Sequence, residues 1–76
     1  MKLEHADKAY WWEGTSIKSG TVIEVDKDNF RYWVVEDNTG NRVKMDDSSA
    51  YPTWKEAEKA CNDFWFILDH TEKDSE

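Results

Sequence analysis

Apolar and polar positions alternate in twos over most of the chain and then switch to the helical repeat. Residues 21–25, Thr-Val-Ile-Glu-Val, are β-branched, short and bounded by turn formers. They predict a strand with Ile23 and Val25 on one face and Val22 and Glu24 on the other. Asp26, Lys27, Asp28 and Asn29 then predict a tight hairpin turn, because Asn and Asp bond their own backbone and tolerate left-handed conformations. Residues 30–36 form the strongest strand pattern, with Phe30, Tyr32 and Val34 directed one way and Arg31, Trp33 and Val35 the other. A strand apolar on both faces is central, or covered on each side. Asp37, Asn38, Thr39 and Gly40 predict a second hairpin, with Gly40 supplying a positive φ. Residues 41–45 place Val43 and Met45 inward and Arg42 and Lys44 outward, a half-exposed edge whose cations discourage pairing with other chains. Tyr10, Trp11 and Trp12 form a shorter β-prone run, and the residues up to about Lys8 read as a loose lead-in.

The repeat changes after Pro52. Thr53 followed three residues later by Glu56 is the signature of a capped helix start. Trp54, Ala57, Cys61, Phe64, Trp65 and Leu68 then recur on one broad stripe, with Lys55, Glu58, Lys59, Asn62 and Asp63 mostly opposite. The stripe predicts a helix to about Asp69. Phe66 departs from it, and residues 64–68 also fit a final strand if the helix stops near Asp63. Residues 70–76 read as a charged, frayed tail.

Short connections between the strands permit only antiparallel neighbours, and a meander with one apolar face needs a cover that the helical stripe can supply. The expected architecture is α+β: a small, curved antiparallel sheet of three to five strands packed on one C-terminal helix. It forms a single domain over residues 1–76, with an ordered core over about 9–69. The order Gly-Thr-Val-Ile-Glu-Val, turn, Phe-Arg-Tyr-Trp-Val-Val, turn, Asn-Arg-Val-Lys-Met, then Tyr-Pro-Thr-Trp-Lys-Glu-Ala resembles small SH3-like barrel proteins with a C-terminal helix. Such proteins occur among phage and bacterial accessory proteins. The resemblance covers about residues 10–68 and implies an SH3-like partial barrel. The Trp-Trp pair of peptide-binding SH3 domains follows an acidic loop in mid-domain, whereas Trp11 and Trp12 precede the first clear strand, so no ligand-binding residue transfers.

Composition sharpens this picture. The 76 residues include five Trp, three Tyr and three Phe, which bury more apolar area per residue than aliphatic side chains. A chain of this size cannot bury a large core and often needs a disulfide, a metal or a partner. Cys61 is the lone cysteine; it allows no internal disulfide and fits a reducing, cytoplasmic compartment. His5 and His70 lie near opposite ends, without metal-ligand spacing. Lys and Arg number 10 against 17 Asp and Glu, a net charge of −7. That balance disfavours direct contact with nucleic acid or anionic membranes and suits a basic protein partner. Charges run through the first residues, so they do not read as a signal peptide.

Candidate chemistry is sparse. Cys61 falls on the predicted core stripe, and Gly14, Gly20 and Gly40 are isolated turn residues, not a phosphate loop. The pairs Asp26/Asp28 and Asp46/Asp47 fall in turns, where nothing separates their pKa values for acid–base work. Asp26-x-Asp28 begins like a calcium loop, but Arg31 stands where such a loop requires Gly. The expectation is a non-enzymatic protein with no cofactor and no metal.

Two binding readings follow. In the first, uncovered aromatic side chains form a protein contact, for which Trp11, Tyr32, Trp33 and Phe66 are the candidates; a homodimer would use the same residues. In the second, the acidic side chains imitate nucleic acid and occupy a basic groove in a host nuclease or defence complex. Glu24, Asp26 and Asp28 would line one strand face at about 7 Å intervals, with Asp46 and Asp47 extending the surface.

Overall fold

The computed structural model of the protein describes the backbone of residues 1–74 and the side chains of residues 1–68. Four strands, β1 (Lys8–Glu13), β2 (Ser16–Asp26), β3 (Arg31–Glu36) and β4 (Arg42–Asp46), form one antiparallel sheet in the order β1-β2-β3-β4. A 3-10 turn (Asp47–Ser49) and a C-terminal helix, α1 (Trp54–Asp74), follow. The expected α+β layout of a curved sheet and one C-terminal helix is what the chain adopts.

The turn chemistry acts as its residues dictate. The Asp26 carboxylate accepts hydrogen bonds from the Asn29 backbone N–H at 3.3 Å and from its Nδ2 at 2.9 Å. Gly40 has φ 72° and its N–H donates to the Glu36 carbonyl. Phe30 was expected to begin β3. Instead it sits in the hairpin turn at φ 53°, exposed to solvent, and the strand begins at Arg31.

β2 is long because it serves two partners. Its first half pairs with β1, with Trp11 opposite Lys18 and Ala9 opposite Gly20. Its second half pairs with β3, with Val22 opposite Val34 and Val25 opposite Tyr32. Gly20 sits where the partners change, opposite both Ala9 and Glu36. A Cβ there would overlap the Val35 carbonyl oxygen and lie 2.6 Å from a Val34 methyl. Only a residue without a side chain lets the backbones approach this closely, at the point where β2 passes from one partner strand to the other.

A register shift between Val22 and Glu24 corrects the expected facing of β2. The additional residue, Ile23, breaks the simple alternation, so Val22 and Val25 both join the core side while Glu24 turns outward. Uniform period-two reading had put Val22 with Glu24.

The core contains Leu3, Ala9, Trp11, Val22, Tyr32, Val34, Met45 and Ala50. Its cover is not the helix, as the sequence suggested, but the curl of the sheet with Leu3 and Ala50 from the flanking segments. The lead-in, expected to be loose, is tied down. The Ala6 N–H donates to the Val22 carbonyl, the Val22 N–H donates to the Asp7 carbonyl, and β1 already begins at Lys8. The Leu3 N–H donates to the Tyr32 hydroxyl at 3.0 Å, and that hydroxyl donates to Asp47. On the other edge of β1, Tyr10 and Tyr51 exchange backbone hydrogen bonds in a single isolated bridge. The sheet is therefore strongly curved, and its first strand touches the segment after the 3-10 turn at that one residue pair.

Candidate functional site

Helix α1 starts as its sequence prescribes. The Thr53 hydroxyl oxygen accepts the Glu56 N–H at 3.2 Å and donates to the Glu56 carboxylate at 3.0 Å, which satisfies one of the orphan donors of the first turn. The helix docks at the end of the sheet, against β1 and the beginning of β2. Ala57 and Cys61 are buried there, outside the main core. The Gly14 carbonyl, exposed by the β1–β2 turn, accepts the Trp65 indole N–H at 2.6 Å and the Cys61 thiol at 3.6 Å. The Phe64 ring packs on Trp12 with centroids 4.9 Å apart and meets Trp65 edge-on at 5.3 Å.

The sheet ends at this point, and the helix does not. It continues to Asp74, five residues past the boundary expected from the stripe, and residues 64–68 are helical, which removes the final-strand alternative. Successive helical residues are separated by about 100°, so five consecutive apolar side chains encircle the axis. Phe64 is 46% exposed, Phe66 62%, Ile67 63% and Leu68 38%. Leu68 lies in the middle of the stripe assigned to the core, yet it reaches past the sheet edge that would have covered it. The result is an apolar collar at the projecting end of the molecule, whose longest dimension is 45 Å against 28 and 19 Å.

The structure separates the four aromatic residues expected to make contact. Trp11 and Tyr32 are buried and unavailable as surface. The Trp11 Nε1–H is enclosed with no hydrogen-bond partner among the described residues. Trp33 is half-buried on the outer face of the sheet, with the Lys44 ammonium 5.6 Å from its ring centroid. Phe66 is on the collar. Its neighbours Phe64, Trp65, Ile67 and Leu68 were not among the expected contact residues. The available signal was the run itself, since no single face of a helix accommodates residues spaced around its whole circumference.

The acidic residues are also divided. Glu24 is exposed on the outer face, opposite Trp33 and, one strand further, Lys44. Asp26 and Asp46 flank Arg31 in one cross-strand row, and Arg31 Nε pairs with Asp46 at 3.2 Å. The Asn29 amide, donating to Asp26, holds that carboxyl below its ordinary value. Asp28 is exposed in the turn. Asp47 is lowered chiefly by the hydrogen bond from Tyr32, while burial and Asp47 together raise the Tyr32 hydroxyl. Asp37 is lowered by Lys8, 2.5 Å away, and by Ser19. Each displaced group thus serves a turn, a strand end or the N-terminal clamp. Among the described residues, no cluster of three or more His, Cys, Asp or Glu side chains has the arrangement to hold a metal ion, and no helix is long and apolar enough to cross a membrane.

Comparison with protein-family models, with curated proteins and with solved structures gives no match to this chain.

Proposed function

We propose that the protein is a non-enzymatic interaction module whose contact surface is the apolar collar of α1. The observation that carries this reading is the exposed run over residues 64–68 at the projecting helix end. Exposed apolar area of this extent is characteristic of a contact site, and its aromatic content matches the residues that dominate binding energies. A helix presented in this way is suited to a groove or to another helix. The four displaced titratable groups support the non-enzymatic part of the reading, because each shift has a structural cause. An accessory or inhibitory role in a reducing cytoplasm is consistent with the buried thiol of Cys61.

This reading is preferred to nucleic-acid imitation because Arg31 and Lys44 interrupt the acidic rows. A surface that competes for phosphate sites gains from unbroken negative charge.

Photo-crosslinking in the producing cell tests the proposal. A benzophenone amino acid at position 67 should form a covalent adduct with a protein. The same group at position 30, which is 64% exposed, should form little. Adducts at position 24 with none at 67 would transfer support to the acidic alternative, and silence at 67 would remove the collar as a contact surface.

A further inference from the structure

Resting on the reading that the collar is a protein contact, we infer that its partner is a protein with an apolar groove, rimmed by Lys and Arg, that closes around the projecting end of α1. The shape of the collar and the charge around it both point to this chemistry.

Shape excludes a flat partner. At about 100° per residue, Phe66 and Leu68 leave the helix on nearly opposite sides, with Ile67 between them. A flat surface touches one side of a helix and reaches only part of the run. Taking large side chains at roughly 150–250 Å² each, the exposed parts of the five residues 64–68 come to about 500 Å². With an equal area from the partner, a groove that takes the whole run buries on the order of 1,000 Å², where specific interfaces begin. A partner on one side stays well below that. Past Trp65, whose indole N–H reaches the Gly14 carbonyl, residues 66–74 continue for about 14 Å. The sheet has ended there, so groove walls can stand on more than one side.

Charge selects the rim. Residues 60–74 of α1 include Asp63, Asp69, Glu72 and Asp74 against Lys73. The helix dipole adds a fractional negative charge at the same C-terminal end. Asp63 is exposed, and so is Glu13 beside Gly14. Lys59 and Lys18, on the elements next to the collar, already lie 3.8 Å from Asp63 and 4.0 Å from Glu13. With −7 on the whole chain, another copy or an anionic lipid surface is repelled, whereas a cationic rim is attracted and oriented.

Benzophenone amino acids placed singly at positions 66, 67 and 68 in the producing cell, with mass spectrometry of the adducts, test the inference. All three should join one and the same polypeptide, at apolar sites with Lys or Arg close by. That polypeptide, purified and mixed with the whole chain, should associate ~3–10-fold more slowly with Asp63→Lys at low salt, and the difference should shrink at high salt. Asp28→Lys, the same change of charge at the far hairpin, should change the rate by less than about two-fold. Adducts from only one of the three positions overturn the groove and leave the collar as a contact surface. Contact peptides without cations, or a complex that tightens with salt, overturn the basic rim. Adducts between two copies of this chain, or co-sedimentation with phosphatidylcholine vesicles that Ile67→Lys abolishes, overturn the inference in favour of a dimer or a membrane. Silence at all three positions removes the collar reading together with the inference.

Discussion

Replacing Tyr32 by Phe removes one oxygen atom and tests how the N-terminal segment is held. The Tyr32 side chain is fully buried. Its hydroxyl accepts the Leu3 N–H at 3.0 Å and donates to the Asp47 carboxylate, which also accepts the Lys2 N–H at 3.3 Å. With Phe at this position, the buried Leu3 N–H has no acceptor, at a cost of about 1–3 kcal/mol, and one hydrogen bond to a charged group is lost. Asp47 is half-exposed and rehydrates, so its share falls at the low end. The expected loss is about 2–4 kcal/mol, from a domain whose total stability is roughly 4–11 kcal/mol at typical values per residue. Urea denaturation followed by tryptophan fluorescence and far-ultraviolet circular dichroism would measure it. Amide exchange at Leu3 should accelerate more than exchange at β3. A change below about 0.5 kcal/mol, the ordinary scatter of surface substitutions, would show that the clamp does not contribute to stability and would refute the reasoning.

Gly20→Ala should destabilise by about 1–3 kcal/mol or more, because the new methyl meets backbone atoms of Val35 that cannot yield without parting two strands; an unchanged thermal midpoint would contradict the close approach. Phe30→Gly should stabilise by up to about 1 kcal/mol in the same urea assay, since φ 53° disfavours a residue with a Cβ; a loss would mean that the exposed ring makes a stabilising contact. Stability should fall on acidification below 3.8, because Asp26, Asp37 and Asp47 are all lowered in the folded state. Their contribution is complete above the unfolded value and disappears as pH drops through the folded ones. The raised Tyr32 hydroxyl acts in the opposite sense: its contribution is complete below 10.0 and is lost as pH rises through the folded value. A urea midpoint that increased between neutral pH and strong acid would contradict the first limb, and one that increased above 10.0 would contradict the second.

Turns and caps were legible in the chain because their causes are local. Asp26 with Asn29, Gly40 after Asn38 and Thr39, and Thr53 with Glu56 each need only a few neighbouring residues to act. The alternation around Val43 and Met45 identified the inward face of β4 for the same reason, whereas β3 was apolar on both faces and its core side, Tyr32 and Val34, was decided by the fold. The bulge at Ile23 was not legible, since an additional residue in one strand shows only against its partner strand. Trp11 and Tyr32 illustrate a second limit. An aromatic residue in a short strand has the same local appearance whether it lies inside a curled sheet or outside it.

By itself, the sequence determined the main secondary elements, their antiparallel order and the start of the helix at Thr53 and Trp54, all consequences of short-range sterics, hydrogen bonding and periodicity; residues 64–68 fitted a helix or a strand until the tertiary structure made them helical. Tertiary structure alone decided where each apolar side chain went. The curl of the sheet enclosed the core, with Leu3 and Ala50 as cover, and left α1 docked only as far as Trp65. A periodic stripe states which side of a helix is apolar; the length of the surface available to receive it depends on how far the sheet extends, and here the sheet ends near Gly14 while the helix goes on.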